Sequence, residues 1–139
     1  MKNLLIQPYL FFGGRCEEAL EFYRTTLGAQ LEFLICYEDS PQPLPPGTIP
    51  PDWGRKVMPA TVRVGDTTLM ASDGSKVGQG FAGFCLSLAA ATPAEAEHAF
   101  AALALDGQVR MPLTQTFWSP GFGMLTDRFG IGWMVTVRA

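Results

Sequence analysis

Hydrophobic positions along this chain switch between the two-residue period of strands and the period of helices, in one order that runs twice. Leu4 to Phe12 is rich in aliphatic and aromatic residues and stops at Gly13-Gly14, which predicts a strand and a turn. From Arg15 to about Leu27, apolar Ala19, Leu20, Tyr23 and Leu27, with Phe22 alongside, predict a short amphipathic helix. Glu17 and Glu18 suit the positive end of its dipole, and Gly28 suits its stop. Ala29 to Tyr37 returns to strand character, Leu31, Phe33 and Ile35 alternating against Gln30, Glu32 and Leu34. Between Asp39 and Gly54 stand six prolines (Pro41, Pro43, Pro45, Pro46, Pro50 and Pro51), a density that excludes helix and central strand. Residues 39–54 are therefore expected to form a long loop, either a pocket lid or partner contact or a plain surface excursion. Val57 to Val64 and Thr67 to Ala71 predict two strands, joined by a two-residue hairpin turn at Gly65-Asp66.

The second half repeats the order. Phe84 to Ala89 predicts a strand. Thr92 as N-cap, Pro93 at the first helical position and Glu95 as the capping-box partner then open a helix. Ala96, Ala99, Phe100 and Leu103 make its buried face, and Gly107 closes it. Val109 to Met111, Gln115 to Trp118 and Ile131 to Val137 supply further strands, with turns at Ser119-Pro120-Gly121 and Phe129-Gly130. Phe22 and Phe100 lie 78 residues apart, as do Leu27 and Leu105. Arg63-Val64-Gly65 and Arg128-Phe129-Gly130 share an Arg-apolar-Gly start 65 apart. The chain thus reads as two strand–helix–strand–strand–strand modules, 1–73 and 74–139, in one domain.

Composition narrows the partners. A net charge of −3 with no Lys/Arg cluster gives no electrostatic footprint for nucleic acid. Apolar runs such as Phe81 to Ala91 are broken by Ser and Gly and too short to span a bilayer, so no membrane partner is expected. Met1 to Pro8 lacks the pattern of a signal peptide, and Cys16, Cys36 and Cys85 form no CxxC. Free thiols in the cytoplasm are the expectation.

Pro8-Tyr9-Leu10-Phe11-Phe12, Glu17-Glu18-Ala19-Leu20-Glu21-Phe22-Tyr23 and Leu27-Gly28 resemble the opening of vicinal-oxygen-chelate (glyoxalase/bleomycin-resistance) proteins. The ending resembles their PhnB-like branch: Pro112-Leu113, Phe117-Trp118, Phe122-Gly123-Met124, Thr126-Asp127-Arg128-Phe129-Gly130 and Trp133. The resemblance covers about residues 4 to 137. It implies an α+β fold whose two βαβββ modules make a curved, incompletely closed mixed barrel with helices outside, a small-molecule pocket, and a homodimer. That branch often carries a 3-demethylubiquinone methyltransferase label. The sequence has no glycine-rich strand-to-helix turn with a following acidic residue to hold an adenosyl cofactor, so nothing in it supports methyl transfer.

Metal-dependent members of the family place His, Gln or Glu ligands on the first and last strands of each module, where the ion polarises adjacent substrate oxygens. Carried onto this chain, the first-strand position falls on Gln7, and the 78-residue offset leads to Cys85. Four residues past the turn glycines lie Leu69 and Met134. Leu69 cannot ligate and Met134 is a poor ligand for such ions, so no metal and no other cofactor is expected. Neighbouring Ser72, Asp73, Ser87 and Thr136 supply oxygen but no His or Glu pair. His98 reads as an exposed helix residue, Asp127 as turn chemistry, and Cys85 as a buried inert thiol.

The candidate ligand-binding residues are Gln7, Phe84, Cys85, Phe117, Trp118, Phe122, Trp133 and Met134, although a core of this size also needs aromatics. Three functions remain open: a metal-free small-molecule-binding protein, a metal-dependent lyase, dioxygenase or isomerase, and an interaction module using the Pro-rich loop.

Overall fold

A computed structural model describes residues 3–42 and 44–138. Met1, Lys2 and Pro43, on which parts of the leader and loop readings fall, lie outside the described residues, as does Ala139. The chain divides into two compact units, Met1–Gly80 and Phe81–Ala139. The first contains β1 (Tyr9–Phe11), α1 (Cys16–Leu27), β2 (Gln30–Cys36), a 3-10 turn at Tyr37–Asp39, β3 (Val57–Val64) and β4 (Thr67–Ser72). Its sheet runs β1-β4-β3-β2, with β1 parallel to β4 and the other pairs antiparallel. The second contains β5 (Cys85–Ala90), α2 (Pro93–Ala104), β6 (Gln108–Thr114), β7 (Phe122–Thr126) and β8 (Gly132–Val137). Its sheet repeats the topology as β5-β8-β7-β6. The fold is α+β with two βαβββ modules, as predicted.

The helices form where their local signals lie. In α1, Cys16, Ala19, Phe22 and Tyr23 are buried. Gly28 ends the helix at φ 69°, its N–H donating to Arg24 while Ala29 N–H donates to Tyr23, a left-handed cap that glycine accepts without strain. In α2 the Thr92 hydroxyl accepts from Glu95 N–H at 3.2 Å, and Ala96, Ala99, Phe100 and Leu103 are the buried face, as the periodicity predicts. Leu125 of β7 and Trp133, Val135 and Val137 of β8 complete that core.

Three expectations are corrected. The first strand is Tyr9–Phe11 rather than Leu4 to Phe12; Pro8 has no N–H to extend the ladder, and Leu4, Leu5 and Ile6 are exposed. Gln115 to Trp118 is not a strand. The strand is Phe122–Thr126, disguised by Gly123, whose missing side chain lets the Leu113 backbone and the Phe100 ring approach to 2.8 Å from where a Cβ would stand. Pro112 is tolerated because β6 is an edge strand with irregular register. Gly107 does not cap α2: Asp106 takes the left-handed conformation at φ 61°. Gly107 is needed instead where a Cβ would lie 2.2 Å from the Thr126 carbonyl oxygen.

Candidate functional site

Strand register sorts the residues of the second module onto two faces. On one, Leu125 of β7 is paired with Trp133 of β8, both buried in the α2 core. On the other, Ser87 stands beside Met134 and Met134 beside Met124, with Phe122 paired to Thr136. Cys85, two residues from Ser87, shares that face. The candidates Cys85, Phe122 and Met134 are therefore brought to one sheet face. Trp133 is not: it lies on the opposite face, where its indole N–H donates to Asp127 at 2.9 Å. Asp127 also accepts from Phe129 N–H at 2.9 Å and Ile131 N–H at 3.1 Å, the turn role expected of it. Phe117 and Trp118 are exposed in the β6–β7 connection and pack edge-on, with Trp118 against Phe122 at 5.7 Å. Phe84 is exposed just ahead of β5, and Gln7 is half-buried just ahead of β1. Cys85, read from the sequence as buried, is exposed, because β5 is an edge strand and the residue faces away from α2.

Leu69 is displaced by one position from the role the residue count assigned it. It lies on the buried, helix-side face of β4, whereas Met70, beside Tyr9 of β1, lies on the other. The cause is loop length. The β3–β4 hairpin closes with Gly65-Asp66, Val64 pairing with Thr67, but β7 and β8 are joined through residues 127–131. Counting from the glycine slips the register by one and turns the side chain over. The non-helical faces of β1, β4, β5 and β8 offer Tyr9, Met70, Cys85, Ser87 and Met134, and none is a His or carboxylate. Among the described residues no group of three or more His, Cys, Asp or Glu is placed to hold a metal ion. His98 is exposed on α2. These residues are not the His and carboxylate donors that metal-dependent members use, and Gln7, just ahead of β1, is the one amide among the counted positions.

The first module holds an open, solvent-facing cavity of about 330 Å³ against the Tyr9/Phe11 face of its sheet. Tyr9 and Phe11 alternate along β1 and stack with centroids 4.8 Å apart and planes at 27°. Met58 and Ser72 come from β3 and β4, and Leu44, Thr48 and Ile49 from the Pro-rich loop. That loop is anchored to the module. Trp53 is 4% exposed, Glu38 N–H donates to the Gly54 carbonyl at 2.8 Å, and the Lys56 ammonium donates to the Gly14 carbonyl at 2.8 Å. None of these lining residues stood among the named ligand-binding candidates, although a pocket lid was one role expected of the loop and Ser72 was weighed as an oxygen donor. The available signal was the pair of aromatics two apart on β1, followed by a proline loop that retains a tryptophan.

Below the cavity, the buried Asp73 carboxylate accepts from Gly14, Cys16 and Val57 N–H groups at 2.9, 2.7 and 2.8 Å. It thereby ties the end of β4 to the starts of α1 and β3. The Tyr37 hydroxyl donates to the Gly74 carbonyl, and Gly74 N–H donates to the Ser72 hydroxyl at 2.8 Å. Burial raises the Tyr37 phenol above its ordinary value, opposed by a Ser72 hydrogen bond and helped by the Asp73 charge. Burial, then the Asp73 charge, raises the Cys16 thiol well above its own, so it is a packing group and not a nucleophile.

Comparison with known proteins places this geometry among relatives. A model of the Glyoxalase/Bleomycin resistance protein/Dioxygenase superfamily matches residues 5–135. Protein YjdN of Escherichia coli is 36% identical over 95% of this chain and 94% of its own. The crystal structure of protein PA1353 from Pseudomonas aeruginosa is 45% identical, covers 98% of both chains and superposes with a TM-score of 0.84. The PhnB protein from Bacillus cereus, labelled a candidate 3-demethylubiquinone-9 3-methyltransferase, is 27% identical over 97% of this chain and 100% of its own, with a TM-score of 0.78. Among the described residues no helix is long and apolar enough to cross a membrane.

Proposed function

This chain belongs to the Glyoxalase/Bleomycin resistance protein/Dioxygenase superfamily, and on that premise we propose that it is a cytoplasmic small-molecule-binding protein that works without the superfamily's metal. The observation that carries the binding reading is the first-module cavity, floored by Tyr9 and Phe11 and walled by the anchored Pro-rich loop. Its about 330 Å³ falls within the range of small-ligand sites, which are mostly apolar with a few polar groups. The metal-free reading is supported by the donor set. Glyoxalase-type isomerisation requires an ion to polarise adjacent oxygens and a carboxylate to move a proton. The strand faces offer aromatic, thioether, thiol and hydroxyl groups in their place.

The test is activity on a hemithioacetal after supplying zinc, nickel or manganese, with metal content counted on the same samples. No turnover and metal well below one ion per chain are expected. Near-stoichiometric metal together with turnover would overturn the reading in favour of a metal-dependent lyase, dioxygenase or isomerase.

A homodimer is part of the same proposal. Leu31 and Phe33 on the edge strand β2 are 56% and 51% exposed, an apolar edge of the kind that association covers. Sedimentation should give a species near twice the 15.1 kDa chain mass. A persistent single-chain mass at micromolar concentration would count against it.

A further inference from the structure

We propose that the ligand of the first-module cavity is a neutral, planar aromatic molecule that extends the stacked Tyr9–Phe11 ring pair beside the Pro-rich loop. The inference rests on the small-molecule-binding reading above and gives it a chemical class.

Tyr9 and Phe11 are an unusual pair to leave uncovered. They are 40% and 39% exposed on a three-residue strand whose intervening Leu10 is buried. The two rings stack on each other, and the exposed outer face of the pair can extend that stack by one further flat ring in offset geometry. Leu44 and Ile49 of the loop add aliphatic wall, and Met58 adds a thioether of the adaptable kind that packs well against rings.

Charge is what the cavity does not offer. None of the described lining residues is a Lys, Arg, His, Asp or Glu. Three of its hydroxyls are also engaged inside the protein. Tyr37 donates to the Gly74 carbonyl, Ser72 accepts from Gly74 N–H at 2.8 Å, and Thr48 donates to the Pro45 carbonyl at 2.7 Å. A charged ligand would lose its water here without gaining a counter-charge. A neutral ring loses little, and Ser75 and Gln79, which also line the cavity, can meet one hydroxyl or carbonyl on it. The volume suits a small fused-ring compound rather than an extended chain.

The experiment is calorimetric titration of the full chain with 2-naphthol, its 2-sulfonate and its 2-methylammonium analogue, one ring system in three charge states. The neutral compound should bind at least about tenfold more tightly than either ion, and Phe11→Ala should weaken it by about tenfold. Should Phe11→Ala fail to fold, Leu44→Lys, at an exposed loop position, serves instead. It should weaken 2-naphthol and bring the sulfonate closer to it. Equal or tighter binding of an ion that still responds to these variants would overturn the neutral class and leave ligand binding at the cavity standing. Binding of 2-naphthol that responds to neither variant would overturn the location alone. No binding of any of the three would overturn the proposal, whereas the metal-free reading stands or falls on the metal and hemithioacetal measurements.

Discussion

Asp73 and Cys16 are joined by a 2.7 Å hydrogen bond between residues 57 positions apart, carboxylate to backbone N–H. Arg15, the N-cap residue of α1, makes no side-chain cap, so the helix start is held by a carboxylate from the end of β4. The same 1%-exposed side chain accepts from Gly14 and Val57, bringing three orphan donors to one charge. Asp73→Asn, which keeps the shape but weakens the acceptors, should destabilise the chain by about 1.5–3 kcal/mol. Asp73→Ala should cost more. Urea unfolding checks both, and an unchanged midpoint would contradict the tie.

Gly123 is required by packing rather than by backbone angle. A Cβ there would stand 2.8 Å from both the Leu113 backbone and the Phe100 ring. The ring can tilt but the backbone of β6 has to move, so Gly123→Ala should cost about 1–3 kcal/mol. Gly28→Ala is the control. It meets no atom within 4 Å and should show only the penalty of its left-handed angle, about 1–2 kcal/mol. Thermal melts of the two variants separate overpacking from backbone strain.

The three thiols should differ sharply in accessibility. Cys85 is exposed, Cys36 intermediate and Cys16 buried. Under native conditions a thiol reagent should label Cys85 first and leave Cys16 unmodified until the chain unfolds. Peptide mapping after timed alkylation reads the order, and early labelling of Cys16 would show that the α1 core opens locally.

Alkaline pH should weaken the fold through two acids, the buried Cys16 and the half-buried Tyr37. The Cys16 thiol and the Tyr37 phenol are both raised above their ordinary values of 9.0 and 10.0, chiefly by burial. The folded chain holds these protons more tightly than the unfolded one, so their stabilisation is complete below those ordinary values. It is lost as pH rises past them, first through Cys16 and then through Tyr37. Stability from urea unfolding should thus be level near neutral pH and decline above about pH 9. In Tyr37→Phe the part of the decline that sets in above about pH 10 should be smaller. An unchanged pH profile in that variant would remove Tyr37 from the account.

The sequence by itself determined what is local: both helices, their caps at Thr92 and Gly28, the Gly65-Asp66 hairpin and the duplicated order of elements. These signals lie within a few residues of the structure they specify, so propensity and period suffice. It also showed that no one-residue shift brings a His or Glu to the strands in question. Tertiary structure decided the rest. The face on which Leu69 and Met134 lie depends on the lengths of two unlike connections, and a slip of one residue inverts a strand. Phe122–Thr126 is a strand because Gly123 fits against a neighbour that local sequence does not reveal. The cavity over Tyr9 and Phe11 exists because Trp53 and Lys56 anchor a proline loop across a strand more than thirty residues earlier. Such contacts are made by residues distant in sequence, and only the folded chain brings them within reach of one another.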